Sequence, residues 1–426
     1  MRYVFTAAMV AVLVLTVAGM GAGQQQVTIT YWQYFFASKV KLVDDLVKQF
    51  EAQNLGIQVV HENFPYDAYN QKVASAVSAG QGPDVINLFY GWVPLYVDSG
   101  YLQALPAEVF SPMEIERDFV PMVKTSRFDG KYWALPTAVR SLALFYNADL
   151  LRGADIGRPP ITWDEFLTAA QRTTVRDAAG RLTTEGFGVS PAGQDHQLIR
   201  EVLFRQWGVA PYSADGRRVT YATAQGAEAF KWYTDLISQH KVGVIDFFPG
   251  GNGYRDAFMA GRAGMIVDGS FAIGSIRAGT KAGWGVTELP RRTLGGEPSN
   301  FGSYWVHGLT VHAQGARRDA AIKFLKFLTS EQVQRLWLQQ VGELPASRKL
   351  VNDPQLAADA IYGPFIRGLA YARATFFVDE SAQRQVLVDA VNEVVVNNKS
   401  PRQALDEAAA KEQTILDEFW KKHPAK

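Results

Sequence analysis

Residues 129–151, DGKYWALPTAVRSLALFYNADLL, constrain the fold more than any other stretch of the chain. Asp129-Gly130 carries turn chemistry, because glycine takes positive φ at little steric cost. Residues 131–135 and 142–146 are aromatic and aliphatic runs that read as strands. Pro136 lies between them. It has no amide donor and fixes its own φ, so the sequence predicts two strands and not one running through it. The short link Thr137-Ala138-Val139-Arg140 is where the chain is expected to pass from one lobe to another. Asn147-Ala148-Asp149 then opens a helix. Taken alone, the stretch also fits a buried hairpin with no role beyond packing.

The chain before it alternates between two periods. Residues 27–31 form a β-branched and aromatic strand, and Trp32-Gln33-Tyr34-Phe35-Phe36 follows directly. Four aromatics at a strand end are hard to bury together before a helix begins. Residues 39–51 place Val43, Leu46, Val47 and Phe50 at helical spacing. A strand at 57–60, a helix after Tyr66-Asp67, and a strand at 85–86 complete a β-α-β-α-β order. That order implies a parallel sheet with helices on both faces. Ligands of such sheets bind beyond the carboxyl ends of the strands.

After Asp149 the pattern restarts. Thr162-Trp163-Asp164-Glu165 reads as a capping box, and Thr223 as a second helix cap. Residues 185–190 read as a strand, 194–207 as a helix, 247–254 as a glycine-rich loop, 263–268 as a strand and 304–312 as another. The remainder, 354–426, reads as helical. A length of 426 residues is enough for two lobes, each with its own core. The net charge of +1 gives no pull toward nucleic acid or a membrane surface. There is no cysteine, so there is no disulfide frame, thiolate metal site or cysteine nucleophile. Residues 1–23 combine Arg2, an apolar run and small residues, which reads as a cleavable secretory signal. No Cys follows that run, so a lipoprotein anchor is excluded and a periplasmic location is expected.

Three further segments turn these features into a resemblance. G-K-Y-W-A-L-P with L-A-L-F-Y-N-A-D-L-L at 130–151 resembles the hinge crossing of the extracellular solute-binding proteins of ABC importers, family 1. G-x-G-P-D-V at 80–85, FMAGRAGMIVDGSF at 258–271 and the G-x-x-P-A turn at 342–346 are similar to that family too. The resemblance implies a periplasmic-binding-protein-like α/β fold: two lobes, a central ligand cleft and several hinge crossings. Residues 285–290 resemble a second crossing. The expected lobes are 24–136 with 290–333, and 137–289 with 334–426. The implied function is capture of a carbohydrate and its delivery to membrane permease subunits, by a monomer with no cofactor. Phe271 stands where maltose-binding members carry a sugar-stacking indole. Arg140 stands at a hinge position where they carry a sugar-binding glutamate.

Catalytic spacings do not emerge. There is no H-E-x-x-H, G-x-S-x-G, Walker A run or strand-linked G-x-G-x-x-G, and the six histidines lack metal-ligand spacing. A glycosidase carboxylate pair stays open, because its sequence spacing is arbitrary. What remains is stacking and hydrogen bonding, which suit a sugar ring with an apolar face and a polar rim. Candidates sit where strand ends or glycine loops meet aromatics. They are Trp32, Gln33 and Tyr34; Tyr66 and Asp67; Asn87 and Tyr90; Asn252, Tyr254 and Arg255; Asp268 and Phe271; Asn300, Ser303 and Tyr304; Glu343 and Arg348. Arg140 joins them. Its donor-only fork suits a carboxylate or phosphate, so it either favours an acceptor-rich or anionic ligand or forms a hinge salt bridge. The alternatives to a sugar-binding protein are a binder of an anionic solute such as a glycerol phosphate ester, a secreted glycosidase or lyase, and a surface adhesin.

Overall fold

The computed structural model describes residues 26–423; the expected signal at 1–23 lies outside the described residues. The first three strands, Val27–Tyr34, Ile57–Phe64 and Val85–Phe89, are parallel, with Val27–Tyr34 in the middle. Helix Ala37–Gln53 buries Leu42, Val43, Leu46, Val47 and Phe50, the stripe its periodicity predicts. Tyr69, Val73 and Ala76 are buried on helix Tyr66–Ser78. The β-α-β-α-β start is therefore as expected.

Strand continuity is not. One strand, Ala134–Asn147, runs through Pro136 and joins the two halves of a single curled sheet. The return is made by Asn300–Thr310, antiparallel to it and to Val85–Phe89. The register slips between Trp305 and Val306, which face Ala138 and Pro136, so Thr137 is the extra residue of a bulge. The missing amide of Pro136 falls where the ladder is already interrupted, which is why the strand tolerates it. The Thr137 hydroxyl closes the gap, donating to the Leu328 carbonyl at 2.7 Å and meeting His307 Nε2 at 2.9 Å.

The far end of Ala134–Asn147 pairs with Ala263–Gly269 and with Trp284–Thr287. Residues 285–290 therefore stay with the second half, and the crossing back belongs to Asn300–Thr310. Asn147 caps the following helix through the Asp149 and Leu150 amides, as its sequence implies. Thr162 and Thr223 likewise accept from Glu165 and Gly226 amides. Residues Tyr212 and Val219 meet in a single antiparallel bridge. Helix Glu331–Val341 packs on Ala37–Gln53, and the segment after it, Leu344–Pro345, pairs with Ala134–Asn147 at Val139 and Ala138. Helices Glu380–Val395 and Pro401–Lys422 cover the second half and pack on Ala224–Ser238. Among the described residues no helix is long and apolar enough to cross a membrane.

Candidate functional site

The two halves face each other across a cavity of about 560 Å³. The crossing strands form its floor. Asn300–Thr310 alternates, so Phe301, Ser303 and Trp305 turn into the cavity. Tyr304 faces the other way and bonds Ser126 and the Met122 carbonyl, both at 3.1 Å. Arg140 rises from the other crossing strand, and Glu343 arrives on the turn that pairs with it.

One wall is aromatic. Tyr34 ends the first strand, Phe35 and Phe36 follow at the rim, and Tyr66, Phe89 and Trp92 line the same side. Their centre is Trp305, whose ring centroid lies 4.0 Å from Tyr34, 5.4 Å from Trp92 and 5.9 Å from Phe89. Phe35 is 52% exposed and Tyr66 57%, so apolar ring surface remains open to a guest. The opposite wall is mostly polar. It is made by Gln194, His196 and Gln197, by Asn252, Tyr254 and Arg255, and by Phe271, Glu380 and Arg384. The first three sit on an irregular helix. Its segments Pro191–Asp195 and Leu198–Leu203 are π-helical, with a kink at Gly193, a distortion that recurs at functional sites. His196 Nδ1 meets the Pro191 carbonyl at 3.1 Å, which leaves Nε2 as an acceptor. Burial, and then the nearby Arg200 charge, hold its pKa well below the ordinary value, so the ring is neutral. The Gln197 carbonyl oxygen is buried with no hydrogen-bond partner among the described residues.

Every cation lining the cavity has an acid beside it. Arg140 Nε donates to Glu343 at 2.5 Å, and its Nη2 reaches the same carboxylate and the Tyr34 hydroxyl. Lys39, buried behind them, donates to Glu343 at 2.9 Å, and Trp337 Nε1 takes the second oxygen at 2.8 Å. Burial opposes the Glu343 charge, but Arg140 and Lys39 outweigh it and hold the carboxyl down at about 2. Burial lowers Lys39 to about 7. Arg255 donates to Asp268 at 2.7 Å, and Arg384 to Glu380 at 2.8 Å. Of the two readings of Arg140, the hinge salt bridge is the one the geometry holds. Arg140 and Arg255 also lie 4.8 and 5.4 Å from the centroid of Phe271, whose π surface thus serves cations.

Of the sequence-derived candidates, Tyr34, Tyr66, Arg140, Asn252, Tyr254, Arg255, Phe271, Ser303 and Glu343 meet at this cavity. Asp268 lies beneath it, fully buried against Arg255. The others are placed elsewhere. Trp32 packs on Phe64 and bonds Glu62; Gln33 is buried. Asn87 and Asn300 pin backbone, the first at the Val306 carbonyl and the second at both polar groups of Leu142. Tyr90 stacks on Tyr304 at 4.5 Å inside the core. Arg348 is exposed and holds the carbonyls of Phe119 and Glu116. The Asp67 side chain lies outside the described residues. Sequence reasoning missed Trp305, Trp92, Gln194, His196, Gln197, Glu380 and Arg384. For Trp305 the signal existed, since strand alternation puts 303 and 305 on one face and 304 on the other. For the residues of two separate helices there was none.

The model of the bacterial extracellular solute-binding proteins matches residues 45–364 of this chain. A maltotriose-binding protein of Pyrococcus abyssi is 25% identical over 340 residues, covering 79% of this chain and 70% of that one. The sn-glycerol-3-phosphate-binding periplasmic protein of Escherichia coli is 25% identical over 457 aligned positions, covering 96% and 97%. The solved structure of an ABC transporter solute-binding protein from Thermotoga lettingae, bound with alpha-D-tagatose, superposes with a TM-score of 0.78 at 23% identity, over 92% of this chain and all of that one.

Proposed function

Since the chain belongs to the bacterial extracellular solute-binding proteins, we propose that it captures a neutral carbohydrate, mono- or oligosaccharide, between its two lobes and hands it to a membrane permease. The observation that carries the reading is the pairing of opposite walls. Open ring surface around Trp305 meets the C–H face of a sugar, and neutral acceptors and amides on the Gly193 side meet its hydroxyls. The acids beside Arg140, Arg255 and Arg384 speak against a phosphate ester, which would have to compete with carboxylates already in place. Glu343 is also unsuited to act as a glycosidase's general acid, which needs a raised pKa, because it is held at about 2.

In this reading Trp305, Trp92, Tyr34 and Tyr66 stack on the guest. Gln194, Gln197, His196, Asn252 and Ser303 bond its hydroxyls. Arg140 and Glu343 set the floor. We take the first lobe as residues 26–136 with 300–348, because helix Glu331–Val341 packs on Ala37–Gln53; residues 137–299 with 349–423 make the second. Closure follows from tighter binding to the closed form. Residues 1–23 would direct export to the periplasm. Calorimetry of the mature chain with tagatose, maltose, maltotriose and sn-glycerol 3-phosphate tests the proposal. A neutral sugar should bind without turnover. Binding of the phosphate ester alone, or hydrolysis of an oligosaccharide, overturns it.

A further inference from the structure

A second cavity, about 940 Å³ and larger than the first, opens elsewhere on the molecule. It is enclosed by Arg127–Phe128 of a short hairpin, the segment 373–376, the loop 210–217 and the end of helix Pro401–Lys422. Three rings stand along it in near-parallel succession. Phe128 and Phe376 are 6.2 Å apart at 21°, and Phe376 and Trp420 are 6.0 Å apart at 21°. The Arg217 guanidinium lies 4.2 Å from the Trp420 centroid and donates to the His423 carbonyl at 3.0 Å, so it is fixed in place.

The cations here divide differently from those of the cleft. Arg127 is tied to Glu116, Arg205 to Glu201 and Lys422 to Asp98. Arg373 is exposed and has no hydrogen-bond or ion-pair partner among the described residues. A planar guanidinium without an acid, beside a row of aromatic rings, matches a molecule with one carboxylate and one apolar ring face. A hexuronic acid has both.

We propose that this cavity is a second ligand site, for an acidic sugar of the hexuronate type, stacked on the Phe376–Trp420 rings with its carboxylate in the fork of Arg373. The register places Arg373, on the short strand Ala372–Arg373, opposite Phe301 of Asn300–Thr310, which lines the first cleft, so the two sites lie on paired strands.

Calorimetric titration of the mature chain with D-galacturonate, D-galactose and inorganic phosphate tests this. Galacturonate should bind saturably, and Arg373→Ala should weaken it about tenfold or more, as expected for loss of a charged hydrogen bond. Arg373 is exposed, so the truncation does not threaten the fold. Trp92→Ala, which strips a plate from the first cleft, should leave galacturonate affinity unchanged. The proposal is overturned if galacturonate does not bind, or if its binding survives Arg373→Ala and falls with Trp92→Ala. Phosphate binding with equal affinity and equal dependence on Arg373 also overturns it, since that describes a general anion site.

Discussion

Glu343 holds Lys39, which is buried, and Arg140, which keeps 14% of its side chain exposed at the floor of the cleft. Glu343→Gln keeps the shape and removes the charge, leaving two cations facing a neutral amide. Loss of one partner from a buried pair costs about 3–5 kcal/mol, and urea denaturation should read it. The sign with pH is fixed by the depressed carboxyl. Its contribution is complete above the ordinary value of 4.5 and is lost as pH falls toward about 2. Glu185 behaves in the opposite sense. No well-formed hydrogen bond reaches either of its oxygens among the described residues. Burial raises its pKa to about 9, with the nearby Val244 amide offsetting only part. The folded state keeps a proton that the unfolded chain releases, so stability falls as pH rises from 4.5 to 9. Glu185→Gln should flatten that fall, and denaturation midpoints of the two proteins at pH 6 and 8.5 would register the difference. Neither environment was legible from residue type. Glu343 was visible only as a polar residue in a glycine-proline turn; its partners lie 304 and 203 positions away in sequence.

At the scale of elements, local patterns were read well and interruptions badly. The stripe of Ala37–Gln53 and the caps at Thr162 and Thr223 depend on near neighbours, and periodicity carries them. Pro136 was read as a stop because the bulge that accommodates it is supplied by Asn300–Thr310, far along the chain. The irregular helix after Ser190 was read as an ordinary one, since no local signal marks a π turn. Its kink at Gly193 has φ −79° and ψ −108°. A Cβ there would sit 2.4 Å from Ser190 Oγ and 3.2 Å from the Tyr254 ring. Gly193→Ala should therefore displace the wall that carries Gln194, His196 and Gln197. Overpacking of this kind costs about 1–3 kcal/mol, and sugar affinity should fall more than the melting temperature does. Paired calorimetry and thermal denaturation would separate the two effects.

For the whole molecule, the two-lobed α/β plan was legible because β-α-β order and crossing motifs are properties of segments. The lobe bounds proposed above differ from the expected ones because helix Glu331–Val341 packs on Ala37–Gln53. A guest that bridges aromatic and polar walls favours the closed arrangement. Addition of a bound sugar should thus lower the radius of gyration in small-angle scattering. The melting temperature should rise with ligand concentration, by the equivalent of about 2.7 kcal/mol at a hundredfold excess over Kd. No change in scattering at saturating sugar would show that binding and closure are uncoupled.

The two long strands beneath the cleft are paired with each other from Gly302 through Gly308, interrupted only by the bulge at Thr137, not laid side by side as independent tethers. A bonded ribbon resists sliding and yields to twist, which makes it a torsion bar. Opening and closing the jaws would then wind and unwind this bar without breaking its rungs. The amides at the pivot should be among the slowest in the protein to exchange with deuterium, with or without a guest, although the largest rotation in the molecule turns about them.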